Sequence, residues 1–222
     1  FDGEKQDVIY RFWELFDHAE IPVMREICQA VERGVVVVSS PMRTFQEEKS
    51  SLGLFWHQRL ESFWRENLSK PDFKLLRKII PPTWILDPAD LPPSAVLAGP
   101  KIGGSAMSSW GDLAKASQKE RELVVKASGF HETAWGSRSV VVGSDASGEE
   151  WGNAIDHALD TFPEPVQVLQ EFRKPARLRH DVYEESGEIL PMEGRLRLSP
   201  YYFVKEGQVQ LSGALATFCP AD

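Results

Sequence analysis

The hydrophobic pattern of the first 80 residues is mainly helical. Residues 22–33 carry apolar side chains three or four positions apart, which predicts a helix that ends at Gly34. Residues 45–68 keep the same spacing, with most charged side chains on another face, so a second helical run is expected. Pro71 is expected to end that run, and a short helix over residues 75–80 follows.

Runs of β-branched residues and alternating apolar and polar positions predict the strands. The predicted strands are residues 35–38, 123–126, 139–142 and 166–172, and a long hairpin of residues 195–204 and 208–218. Ser147 and Glu150 have the spacing of a capping box, which predicts the start of one more helix. These elements together indicate an α+β fold.

A change of composition in the middle of the chain suggests a boundary. Residues 91–117 are rich in Pro, Gly and Ser, which is typical of a loop or linker. We therefore predict one lobe over residues 1–90, a loop or linker over residues 91–117, and a second lobe over residues 118–222.

The overall charge excludes some classes of partner. The 222 residues include 25 Lys and Arg against 33 Asp and Glu, for a net charge of −8. A negative chain repels nucleic-acid phosphates, and no apolar run approaches the roughly 18 residues of a membrane helix. We expect neither a nucleic-acid nor a membrane partner, and the sequence does not indicate an oligomeric state.

The cysteines and the ends of the chain bear on its compartment. Cys28 and Cys219 form no CxxC pair or disulfide framework, so a reducing cytoplasm is expected. The chain starts at Phe1 without a signal-peptide pattern, and we interpret it as a domain cut from a longer polypeptide. The sequence lacks GxxxxGK[ST], GxGxxG, GxSxG and HExxH motifs, and its histidines show no metal-ligand spacing.

The strongest chemical signal is the segment VVKASGFHETAWGSRSVVVG. Lys126 closes an apolar strand, where an ammonium is costly to bury unless it meets an anion. Gly136 and Ser137 let the backbone approach phosphate oxygens, and Arg138 adds a planar charge. Residues 170–172 end a later strand, whose edge suits an adenine ring while a carboxylate holds ribose hydroxyls. Taken alone, the lysine and loop fit an ordinary surface lysine beside a hairpin turn better than a phosphate site.

The order of the motifs carries more information than any one of them. The chain contains FDGEKQDVIYRFWELFD, then PMRTFQEEKSSLGLFWH, VVKASG and VLQEF, and then the terminal hairpin. In this order it resembles the circularly permuted ATP-grasp group that includes glutathionylspermidine synthase-like proteins. The resemblance covers nearly the whole chain outside residues 91–117. It implies an ATP-grasp-like fold of two lobes, with mainly antiparallel sheets and packed helices, in which residues 118–222 form the nucleotide-binding lobe.

The resemblance assigns phosphate contacts to two lysines and a loop. Lys49 would be the first ATP lysine and Lys126 the second, both neutralising phosphate charge. Gly136, Ser137 and Arg138 would lie on the small loop that closes over the phosphates. Without the resemblance, Lys49 is equally well interpreted as a solvated helix charge.

The remaining implied roles fall on two later strands. Gln170, Glu171 and Phe172 would form the hinge that holds adenine and ribose, although Phe172 is as readily an ordinary core residue. Arg195 or Arg197 would stabilise an acyl phosphate or the transferred phosphoryl group, or would belong to a salt-bridged strand surface. Their spacing of two puts both side chains on one face of the strand.

The function implied is that of an ATP-dependent carboxylate–amine ligase that forms an amide through an acyl phosphate, with ATP and Mg²⁺ as cofactors. Its partners would be an unidentified carboxylate and amine. The family's metal ligands lie in an E-x-N segment that would precede Phe1, so the metal ligands are not assigned and this fragment is expected to be inactive alone. The alternatives are a non-catalytic nucleotide-binding or scaffold module on the same fold, and an interaction domain without ligand.

Overall fold

A computed structural model describes residues 3–92, 95–129 and 131–221. The chain divides into two compact units, Phe1–Phe172 and Arg173–Asp222. Both contain antiparallel sheets, and the first also contains packed helices, so the fold is mixed α/β. Within the described ranges, no helix has the length and apolar character needed to cross a membrane.

The helices all belong to the first unit. They are α1 (Met24–Glu32), α2 (Ser50–Trp56), α3 (Glu61–Asn67), α4 (Lys70–Ile79) and α5 (Gly148–Asp160). The predicted capping box of α5 is confirmed, because the Ser147 hydroxyl accepts from the Glu150 N–H at 3.1 Å and the Glu150 carboxylate accepts from the Ser147 N–H at 2.8 Å.

The expectation that Pro71 ends a helix is wrong. Pro71 lies in the first turn of α4, which begins at Lys70 and has Ser69 as its N-cap. Proline is tolerated in the first turn because the N–H groups there have no partner within the helix. The Ser69 hydroxyl accepts the Asp72 N–H at 3.2 Å, so the residues around the proline start a helix.

The first unit holds two sheets. Strands β1 (Val8–Tyr10) and β2 (Val37–Ser39) form a small parallel pair. The main sheet is antiparallel and has the order β3-β6-β4-β5. Its strands are β3 (Thr83–Ile85), β4 (Leu123–Ala127), β5 (Val141–Val142) and β6 (Gln167–Glu171).

The two faces of the main sheet have different neighbours. Leu123 and Val125 of β4 face the core, together with Leu169 of β6 and Trp151 of α5. The intervening residues of these strands point to the opposite face, because side chains alternate along a strand. On that face α2 lies against β3, where a Cβ added to Gly53 would come within 2.9 Å of Ile85 Cγ1.

Residues 91–117, for which we predicted a loop or linker between lobes, take part in the core of the first unit. Met107, Trp110 and Leu113 are 3%, 8% and 0% exposed and belong to the same buried cluster as α5. The Trp151 indole N–H donates to the Leu113 carbonyl at 2.8 Å. The burial of these large apolar side chains holds the segment against the core, although prolines and glycines surround them.

The second unit is a three-stranded antiparallel sheet of β7 (Arg177–Tyr183), β8 (Ile189–Lys205) and β9 (Gln208–Pro220). The predicted hairpin is confirmed: β8 and β9 pair from Gly194 opposite Pro220 to Lys205 opposite Gln208. Glu206 and Gly207 make the turn with φ values of 53° and 74°. Strand β7, which the sequence pattern did not predict, extends the hairpin along β8.

Candidate functional site

Lys126 lies on β4, on the sheet face opposite α5. Its Nζ donates to Gln170 Oε1 at 2.8 Å, and Gln170 Nε2 donates to Thr83 Oγ1 at 2.7 Å. Gln170 and Thr83 are 8% and 0% exposed. Hydrogen bonds therefore run across three adjacent strands, and a buried neutral amide fixes the half-buried ammonium.

Lys49 immediately precedes α2 and lies against the segment that follows β4. Its Nζ donates to the carbonyl of Ser128 at 2.6 Å and to that of Ala134 at 3.3 Å. The Ser128 hydroxyl donates to the Glu48 carboxylate and accepts from the Ser50 N–H at 2.8 Å. The beginning of α2 and the end of β4 are thus joined around the first lysine.

The environment disfavours the charge on both lysines. Burial lowers the pKa of Lys126, and the nearby positive charge of Lys49 lowers it further. Burial also lowers the pKa of Lys49, partly offset by the negative charge of Glu48. Across the described ranges, no carboxylate lies within ion-pair distance of either ammonium. The structure therefore brings Lys49 and Lys126 near enough for their charges to interact, and an anion there would relieve both.

The predicted phosphate loop is an exposed turn. Gly136 and Ser137 have φ values of 62° and 61°, and the Arg138 N–H donates to the Trp135 carbonyl at 3.3 Å. Positive φ at both central residues is typical of a type I′ turn, a conformation in which glycine is unstrained. Lys49 donates to the carbonyl of Ala134, which is two residues before Gly136, so the turn lies close to Lys49 along the chain.

Glu171 and Phe172 line a cavity of about 870 Å³ at the end of β6, together with Trp56, Trp84 and Leu123. The cavity's acidic side chains are Glu61, Glu120, Glu122 and Glu171, and its basic ones are Arg77 and Lys101. Neither Lys49 nor Lys126 lines it. Side-chain alternation explains the separation, because Gln170 points to the lysine face and its neighbour Glu171 does not.

Arg195 and Arg197 belong to the second unit. Both project from the same face of β8, as their spacing predicted, with Arg195 opposite Arg177 of β7 and Cys219 of β9. The Nε of Arg195 is buried and has no hydrogen-bond partner among the residues that the structure describes. Arg177 was missed in the sequence because β7 itself was not predicted.

A buried ion pair beside Lys49 was also missed. Arg11 follows β1 and pairs with Glu47; the two side chains are only 10% and 16% exposed. Arg11 Nη1 also donates to the Trp13 carbonyl at 2.9 Å. The available signal was the D-x-x-Y-R motif that contains Arg11, but a motif does not show which carboxylate lies opposite it.

Comparisons with family models, curated proteins and solved structures gave no match. The relation to the ATP-grasp group is accordingly a resemblance carried by the motifs of the sequence.

Proposed function

We propose that this chain is the nucleotide-binding core of an ATP-dependent carboxylate–amine ligase that acts through an acyl phosphate. The observation that carries the proposal is the pair of half-buried lysines, Lys49 and Lys126, whose charges interact and whose hydrogen-bond acceptors are neutral. Two half-buried ammonium groups whose charges interact, with only Glu48 as a partial offset, are unfavourable. A polyphosphate that contacts both ammonium groups would neutralise their charges, and the relief of their repulsion would contribute to its affinity.

The residues around the lysines position them. Gln170 holds the Lys126 ammonium from one side, and Thr83 fixes the orientation of the Gln170 amide. The carbonyls of Ser128 and Ala134 hold Lys49. Groups fixed before the ligand arrives stabilise charge without the cost of reorganisation, which is how fixed cations assist phosphoryl transfer.

The nucleobase is assigned to the cavity at the end of β6. Phe172 and Trp84 provide aromatic surface, and the Glu171 carboxylate suits ribose hydroxyls. A volume of about 870 Å³ lies within the usual range for ligand pockets. Gln170 and Glu171 are adjacent but point to opposite faces of the sheet, so one nucleotide would have to pass the end of β6 to reach both the lysines and the cavity.

ATP would supply the phosphoryl group that activates the carboxylate, and the amine would then displace phosphate to form the amide. The chain's own contribution is positioning and charge neutralisation, without a covalent protein nucleophile.

The resemblance also implies Mg²⁺, but the donors described here do not fit it. No three His, Cys, Asp or Glu side chains in residues 3–92, 95–129 and 131–221 form a group that could hold a metal ion. The proposal therefore gives none of them a metal-binding role.

The proposal is tested by titrating the protein with a fluorescent ATP analogue. Lys126→Met should weaken binding by about tenfold or more, since a charged hydrogen bond to phosphate is lost. Lys119→Met, a change of equal charge outside the site, should leave affinity unchanged. Equal affinity of the Lys126 variant and wild type would refute the assigned role.

The alternative is a non-catalytic nucleotide-binding or scaffold module on the same fold. The two possibilities differ in turnover. ATP should be consumed in the presence of hydroxylamine and a mixture of carboxylic acids if the chain activates a carboxylate, because hydroxylamine traps acyl phosphates. Tight nucleotide binding without ADP formation would favour the module.

A further inference from the structure

A second cavity of the first unit has a different electrostatic character. It measures about 690 Å³, and its apolar lining consists of Trp56, Leu68 and Phe73. Its other lining residues are four cations: Arg65, Lys70, Lys74 and Arg77. Among the described residues, none that is acidic lines it, although the chain as a whole has a net charge of −8.

Helix α4 supplies most of this lining from one face. Lys70, Phe73, Lys74 and Arg77 occupy positions i, i+3, i+4 and i+7, which share one face of an α-helix. Lysines four residues apart repel each other, so the pattern disfavours the helix unless a negative group lies opposite. The ion pairs in the described part of the chain include neither lysine.

The two arginines are held in place before any ligand binds. The guanidinium of Arg77 lies over the Trp56 ring at 4.1 Å, and that of Arg65 over the Phe73 ring at 4.6 Å. Both also pair with Glu61, at 3.3 Å and 2.7 Å respectively. One carboxylate offsets only one of the two charges, so fixed positive charge is left beside the two lysines.

We propose that this cavity binds a small organic anion that carries two or more carboxylate or phosphate groups and an apolar portion. Fixed guanidinium groups suit planar oxyanions, while the flexible lysines at the rim adapt to a second negative group. Leu68 and the two aromatic rings provide the apolar surface.

The adjoining cavity shows that charge would select the ligand. Trp56 and Arg77 line both cavities, but the larger one also exposes Glu61, Glu120, Glu122 and Glu171. The negative groups of a ligand are disfavoured beside that acidic lining and favoured beside the four cations. The proposal does not depend on a role for ATP, because neither Lys49 nor Lys126 lines the basic cavity.

The test uses citrate and inorganic pyrophosphate as probes in calorimetric titrations at constant ionic strength. Saturable binding of either probe is expected, and the stronger one identifies the preferred oxyanion. The double variant Lys70→Ala/Lys74→Ala should weaken binding by about tenfold, since two charge contacts are lost. Both lysines are exposed, so the fold should survive the change.

Two controls separate this site from the proposed nucleotide site. Lys115→Ala/Lys119→Ala removes the same charge elsewhere and should leave citrate binding unchanged. Lys126→Met should weaken binding of the ATP analogue but not of citrate. The proposal is overturned if neither probe saturates, or if the Lys70/Lys74 variant binds both as tightly as wild type.

Discussion

Gly129, in the segment after β4, lies close to the backbone of the residues just before Lys49. A Cβ at this position would lie 2.6 Å from the Glu47 carbonyl oxygen and 3.2 Å from Glu48 Cα. These are backbone atoms, so no side-chain rotation removes the contact. Gly129→Ala should therefore push the start of α2 away from β4.

The size of the effect follows from these distances. Ordinary contact begins at 3.4 Å, so the Glu47 carbonyl has to move by about 0.8 Å. Overpacking of this kind costs roughly 1–3 kcal/mol. For a chain of this length, each kcal/mol lowers the melting temperature by about 2–4 °C, so a fall of about 2–12 °C is expected.

The assay is thermal unfolding followed by circular dichroism, with Gly152→Ala as the matched control. Gly152 lies inside α5, where an added Cβ meets only Ala114 Cβ at 3.8 Å. Alanine favours a helix over glycine by about 0.8–1 kcal/mol, so the control should be more stable than wild type. A Gly129→Ala protein that melts at or above the wild-type temperature would show that the close approach is absent.

Three further predictions concern charges. Because the pKa of Lys126 is lowered in the fold, the unfolded chain binds more protons than the folded chain at pH values between that lowered pKa and 10.5. The free energy of unfolding of wild type should therefore rise with pH over this range, relative to that of Lys126→Met. The affinity for an ATP analogue should fall over the same range, because Lys126 loses its charge. Urea titrations and nucleotide titrations at several pH values measure the two effects, and parallel pH profiles of stability for the two proteins would contradict the first. Glu47→Gln removes the charge that pairs with the largely buried Arg11, so it should cost about 1.5–3 kcal/mol in urea unfolding, whereas Asp7→Asn, at an exposed pair, should cost less than about 1 kcal/mol. Hydrogen bonds from Lys115, Ser108 and Ser109 lower the pKa of Asp112 to about 2, so Asp112→Asn should be less stable than wild type above pH 4, and the difference should shrink as pH falls through that value; an equal difference at pH 2 and pH 6 would exclude the cause given.

Local patterns predicted the elements whose signals are local. The capping box at Ser147 and the strands around Lys126 and Gln170 were found because neighbouring residues alone specify them. Strand β3 was missed because it has only three residues next to two prolines. Strand β7 was missed because its polar sequence, RLRHDVY, is almost wholly exposed and gives no burial pattern.

The contacts within the candidate site could not be predicted from the sequence. The sequence predicted Lys126 and Gln170 as site residues, but it did not predict the hydrogen bond between them. That bond depends on the strand register that sets Lys126 opposite Val168 on β6. Register is a tertiary property, because it is fixed by which faces of several strands are buried together. The same holds for Arg11 and Glu47, which are 36 residues apart.

Helix α2 connects the three electrostatic environments of the first unit. Lys49 precedes its first residue, and Trp56, its last, lines both cavities. Seven helical residues span only about 10 Å, so the lysine pair, the acidic cavity and the basic cavity are arranged along one short rigid element. Gly53 sets α2 directly on β3, since any larger residue would meet Ile85. A displacement of α2 from β3 would therefore change both the position of Lys49 at one end and the Trp56–Arg77 contact at the other.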